Sequence, residues 1–156
     1  MTPKSDTAVF PGSFNPFTKG HASIVRRALS IFPRIVIAVG VNVNKPDADA
    51  EARIAEIRRL YSGNPRVEVV KFSGLTADLA SRLGAAAIIR GVRGVADFEY
   101  ERSIADINRR LAGIETILMY SLPELEAVSS SAVRELRHFG ADTSMFIPKD
   151  ENDTEI

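Results

Sequence analysis

His21 stands at the start of an apolar-periodic segment, one residue after Gly20 and three after Thr18. A histidine at a helix mouth can donate a hydrogen bond to an anion that gains charge during a reaction. The helix end itself adds unpaired N–H groups and a partial positive charge. Gly20 lets the backbone approach a ligand closely, and Thr18 brings a hydroxyl to the same end. Just upstream, Phe10-Pro11-Gly12-Ser13-Phe14-Asn15-Pro16 reads as a turn. A backbone N–H and the Ser13 hydroxyl there suit a phosphate, although Pro, Gly, Ser and Asn are also ordinary turn residues. The second histidine, His138, lies late in a helical pattern beside Arg137 and Phe139, where contact with a helix C-terminus accounts for it.

Three further segments carry groups suited to the same kind of ligand. Lys45 closes the loop after an apolar run. Arg90-Gly91-Val92-Arg93-Gly94 sets two arginines, flanked by glycines, between a buried run and a helical pattern. The guanidinium fork matches phosphate oxygens, and glycines admit backbone donors beside it. Asp97 and Glu101 are four apart and share a helical face. A carboxylate there can accept from ribose hydroxyls; alternatively, Asp97 complements the helix dipole and Glu101 pairs with Arg90 or Arg93. Glu99 reads as a dipole partner. Ser129-Ser130-Ser131 precedes the last helical pattern, where one serine serves as the cap and the group as a phosphate cradle.

The elements that must position these residues alternate. Strand-like runs are Ala8–Phe10, Ile35–Val41, Val67–Phe72, Ala86–Ile89 and Thr116–Tyr120. Helical patterns fall at about 21–32, 49–62, 75–83, 96–112 and 130–138. Runs such as Ile35-Val36-Ile37-Ala38-Val39 are apolar on both faces, as a strand covered on both sides must be. This predicts an α/β fold with a parallel sheet and right-handed crossovers. Ligands then bind beyond the carboxyl ends of the strands, where strand order reverses. Each chemically suggestive segment above leaves such an end.

The 156 residues suit one domain, and 45% hydrophobic with 26% charged residues is ordinary for a globular chain. Twenty basic residues balance twenty acidic ones, which argues against bulk nucleic acid as the partner. Cysteine is absent, removing disulfides, thiolate metal sites and cysteine nucleophiles. The polar opening and the lack of a membrane-length apolar run predict a cytoplasmic protein without a membrane partner. The N-terminus (1–6) and the acidic tail (149–156) are expected to be poorly ordered.

Thr18-Lys19-Gly20-His21 resembles the T/H-x-G-H signature of the nucleotidyltransferase superfamily. Ser129-Ser130-Ser131-Ala132-Val133-Arg134 resembles its second, I-S-S-S/T-x-x-R-type signature. Arg90 to Glu101 is similar to one branch, the phosphopantetheine adenylyltransferases of bacterial coenzyme A biosynthesis. The Phe10–Pro16 turn and Asn44-Lys45-Pro46 agree, and the resemblance spans about residues 8–147.

The resemblance implies a single domain over 1–156 with a Rossmann-like doubly wound, five-stranded parallel sheet and helices on both faces. It implies adenylyl transfer from ATP to 4'-phosphopantetheine, giving dephospho-coenzyme A and pyrophosphate with Mg2+, the penultimate step of the pathway. His21, Lys45 and Arg93 would be catalytic. Ser13, Phe14, Thr18, Gly20, His21, Gly91, Val92, Arg93 and Glu101 would hold ATP. So would Leu125, Glu126, Ala127, Val128, Ser129, Ser130 and Ser131. Ser13, Lys45, Thr76 and Arg90 would bind phosphopantetheine, and no metal ligand is assigned. A homohexamer is also implied. Departures from the family pattern are Ser13 for a frequent threonine, Asn15 for a frequent aspartate, Asp47-Ala48-Asp49-Ala50 for an aromatic- and hydroxyl-containing stretch, and Thr76 for an apolar residue.

The implied chemistry suits the residues present. A phosphate monoester has a second pKa of about 6, so it is mostly ionised at neutral pH and needs no general base. What remains is aligning two polyanions and neutralising charge. A silent nucleotide-binding module would not need His21, Lys45 and both arginines together.

Overall fold

A computed structural model describes residues 5–156. Residues 1–4 of the N-terminal segment expected to be loose lie outside it. Five parallel strands form one sheet in the order β3-β2-β1-β4-β5: β1 Thr7–Gly12, β2 Arg34–Gly40, β3 Val67–Phe72, β4 Ala87–Val92 and β5 Glu115–Tyr120. The helices between and after them are α1 Lys19–Ala28, α2 Ala50–Leu60, α3 Thr76–Leu83, α4 Val95–Ala112 and α5 Ser130–His138. From β1 the chain winds outward through β2 to β3, then crosses to β4 on the other side of β1. The reversal therefore lies between β1 and β4, and the fold is the doubly wound α/β arrangement expected.

Strand alternation sorts the core into two layers. Ala8, Phe10, Ile35, Ile37 and Val39 pack with Ala22, Val25 and Ala28 of α1 and with Ile54 and Ile57 of α2. Val9, Val36, Ala38 and Ile88 point the other way, against Leu79 and Ala80 of α3. Helices α1, α2 and α3 contribute apolar residues at three- and four-residue spacing, so burial rather than propensity holds them. Helices α3 and α4 stop at Gly84 and Gly113, whose φ values of +60° and +65° suit glycine best.

β1 contains a proline in the centre of the sheet. Pro11 has no N–H to give, and a central strand tolerates that poorly. The β1–β4 register covers Ala8↔Ala87 and Val9↔Ile88, whereas β1 pairs with β2 from Thr7 to Gly12. Beyond Val9 the two central strands part, and the cleft opens there. β4 itself continues to Val92, past the Ile89 expected from the apolar run, so Arg90 and Gly91 are strand residues. The acidic tail packs back on α1. Lys19 Nζ donates to the Glu155 carbonyl at 2.7 Å and lies 3.2 Å from Asp153, and Arg26 reaches Thr154, which is buried.

Candidate active site

The turn after β1 and the mouths of α1 and α5 surround a cleft of about 350 Å³ at the carboxyl end of β1 and β4. Thr18 caps α1 through a reciprocal box. Its hydroxyl accepts from the His21 N–H at 3.4 Å, and its own N–H donates to His21 Nδ1 at 2.9 Å. The ring nitrogen here takes the place of the carboxylate usual in such a box. Because Nδ1 accepts, the neutral ring carries its proton on Nε2. Phe14 stands edge-on to the ring at 5.0 Å between centroids, with Phe17 at 5.4 Å. Desolvation, then the charges of Arg90 and Arg93, hold the His21 pKa down to about 3. His21 is therefore a neutral hydrogen-bond donor, not a cation and not a base in search of a proton.

Phe14 adopts φ +49°, a left-handed conformation costly for a bulky residue. Its ring is buried against Phe10, Phe17 and His21, and that packing offsets the backbone cost. A Cβ on Gly20 would lie 3.4 Å from Thr18 Oγ1 and 3.5 Å from the Val128 carbonyl, ordinary contact. The chain itself does not demand glycine at this position, so any demand would come from a ligand. The same contact shows how near the α5 entry comes to the mouth of α1.

α5 is fastened to the turn side chain by side chain. Ser129 is its cap, accepting from the Ala132 N–H at 3.0 Å. Ser130 Oγ donates to the Pro16 carbonyl at 2.8 Å, and Arg134 donates to the Asn15 carbonyl at 2.6 Å and to Ser131 Oγ at 3.2 Å. The three hydroxyls expected to cradle a phosphate thus each have a partner within the chain. The anion-facing groups left at this mouth are the first N–H groups of the helix, which have no intrahelical acceptor. Two helix N-termini accordingly open on one cleft.

Arg90 is a fully built group. Nε and Nη2 meet both oxygens of Glu101 at 2.9 and 2.8 Å, and Nη1 donates to the Pro11 carbonyl at 2.6 Å. Of the alternatives open for Glu101, ion pairing is the one realised, and the buried carboxylate has both oxygens engaged. Arg93 is more open; its N–H and Nε reach Asp97 Oδ2 at 3.1 and 3.3 Å.

Of the residues expected in the site, Ser13, Phe14, Thr18, Gly20, His21, Arg90, Gly91, Arg93, Glu101 and Val128 to Ser131 line this cleft. Val92 and Leu125 are buried in the core, so only their backbone could face a ligand. Glu126 and Ala127 are exposed in the entry to α5 and do not line the cleft. Lys45 is exposed in the loop between β2 and α2, and Thr76 begins α3; neither lines it. Asp97, for which a ribose contact or a dipole role was open, lines it too, as does Tyr100, which was not expected; the spacing of three between Asp97 and Tyr100 on α4 was the available signal. Arg53, bonded to the Ser13 carbonyl at 2.9 Å, was also missed. No cluster of three acidic or histidine groups able to hold a metal occurs among the described residues. Both acidic side chains lining the cleft are paired with arginines, so these residues do not fit a resident metal ion.

Residues 9–136 match the cytidylyltransferase-like family model, which sets the chain in a nucleotidyltransferase class. A phosphopantetheine adenylyltransferase of Porphyromonas gingivalis is 49% identical over 147 residues, spanning 94% of this chain and 96% of the relative. That of Bacteroides fragilis is 52% identical over 143 residues, spanning 91% and 95%. The chain belongs to the phosphopantetheine adenylyltransferase family. Among solved structures, a protein from Vibrio parahaemolyticus described as a nicotinate-nucleotide adenylyltransferase superposes with a TM-score of 0.63. At 18% identity, over 90% of this chain and 85% of that one, this likeness speaks to the fold alone.

Proposed function

We propose that this enzyme transfers the adenylyl group of ATP to 4'-phosphopantetheine, yielding dephospho-coenzyme A and pyrophosphate. The observation that carries this reading is the neutral His21 donor set at one of two helix mouths, with Arg90 and Arg93 facing them across the β1–β4 opening. That arrangement suits a triphosphate. An ionised acceptor phosphate attacks the α-phosphorus; a new P–O bond forms on the acceptor side. The bond between the α-phosphorus and the bridging oxygen breaks, and pyrophosphate leaves with the electron pair. His21 Nε2–H donates to an α-phosphoryl oxygen as charge builds there, while Arg93 and the helix N–H groups take the β- and γ-phosphates. Lys45, exposed on its loop, is the acceptor's cationic contact. The carboxylates of the cleft are committed to arginines, so a magnesium ion in this reaction would be held by the substrate's phosphates and water.

The exposed apolar stripe Tyr100, Ile107 and Leu111 on one face of α4, beside the half-buried edge strand β5, supports self-association, read here as a homohexamer. No helix among the described residues is long and apolar enough to cross a membrane, and we place the enzyme in the cytoplasm. The deciding assay follows pyrophosphate. Release should require ATP, magnesium and 4'-phosphopantetheine together. Turnover with nicotinate mononucleotide and none with 4'-phosphopantetheine would move the chain to a sister activity.

A further inference from the structure

Arg53 is 7% exposed, in the second turn of α2, and its whole fork is used. Nε donates to the Ser13 carbonyl at 2.9 Å; Nη1 and Nη2 donate to the two carboxylate oxygens of Asp47 at 3.1 and 2.8 Å. Ser13 directly precedes the left-handed Phe14, in the turn that faces the cleft. Asp47 lies two residues after Lys45, in a loop whose residues 42–49 are all exposed. That loop's other side-chain hydrogen bond, Asn44 N–H to Asn42 Oδ1 at 2.9 Å, stays within itself. Among the described residues, the Asp47 carboxylate is the loop's one side-chain tie to the rest of the fold.

We propose that Asp47 and Arg53 are positioning residues that join the Lys45 loop to the nucleotide-facing turn, so that one bidentate clamp sets the placement of both substrates. This rests on the reaction proposed above. The pair touches neither substrate. It acts by fixing what does: the Arg53 fork holds the Ser13 carbonyl on one edge and the loop on the other, and only a planar, two-edged cation can do both. A strained residue keeps its conformation only where its surroundings over-determine it, and the Ser13 carbonyl bond lies next to that residue. The bland account, in which Asp47 merely neutralises a buried arginine, predicts a stability effect without a kinetic pattern.

The two accounts separate on Asp47→Asn and Arg53→Lys, with Glu51→Ala as a control that breaks the exposed Glu51–Lys71 pair nearby. Melting is recorded for each variant. Asp47→Asn should raise KM for 4'-phosphopantetheine about tenfold, with kcat and KM for ATP within about twofold. Arg53→Lys should add a fall in kcat of about tenfold, because the Ser13 turn is also released. Hydrogen exchange reads the clamp independently of turnover. In Asp47→Asn the amides of residues 42–48 should exchange about tenfold faster, with those of β2 and α2 unchanged. Unaltered exchange in that loop overturns the clamp. So does an Asp47→Asn enzyme whose acceptor KM matches wild type, or whose two KM values rise alike. Wild-type inactivity toward the acceptor, with accelerated exchange in the variant, would instead fault the proposed reaction and leave the clamp standing.

Discussion

The two sides of the cleft are built differently. On the side assigned to the nucleotide, Thr18 and His21 bond each other, α5 is tied to Asn15 and Pro16, and Arg90 has Glu101 and the Pro11 carbonyl. On the side assigned to the acceptor, Lys45 is an exposed cation on an exposed loop, tied back through Asp47. The first side has its dipoles aimed beforehand, so little reorganisation is needed when charge develops. On the proposed reading the second is less preorganised, and its contribution falls on binding more than on chemistry.

Breaking the comparison starts with His21→Ala. Loss of the aimed donor should lower kcat by about 10²–10³ while ATP binding, read by calorimetry, stays near normal. Unchanged turnover would remove His21 from the mechanism. Lys45→Ala comes next: an exposed cation facing a phosphate should change acceptor KM by roughly tenfold and leave ATP affinity alone. An equal loss in ATP affinity would mean that the two sides are not separate.

The smallest effect is in stability against pH. The unfolded chain protonates His21 near pH 6.5, whereas the folded chain resists until about pH 3. The unfolded state therefore binds the extra proton first, and stability falls as pH drops through that window. Urea midpoints should correspond to a loss of about 1 kcal/mol between pH 7 and pH 5 that His21→Gln abolishes, a modest figure because one edge of the ring faces the cleft. A midpoint independent of pH in wild type would show that the ring is not desolvated as described.

Much of this was legible in the sequence where the signal is local. The strand Val67–Phe72 and the helix 130–138 have the expected bounds, because apolar runs and a serine cap are short-range features. β4 was read three residues short, because Arg90 and Gly91 look like loop residues until the Pro11 carbonyl and Glu101 are seen to receive the guanidinium. Arg53 carries no local signal, because its partner carbonyl is 40 residues away. The contacts of the tail are illegible for the same reason. Its acidic residues suggest disorder until Lys19 and Asn64, 136 and 87 residues distant from their partners, are brought to them. Long-range pairing has no signature in a window of residues.

Pro11 has a mechanical consequence. With two rungs joining β1 to β4, the sheet consists of a three-strand plate and a two-strand plate meeting at a thin seam, and the Arg90 side chain spans the gap that the backbone leaves. A polyanion seated across the seam, held from α1 on one plate and from Arg93 beyond the other, would serve as the missing rung. Occupancy should then stiffen the joint between the plates more than either plate within itself.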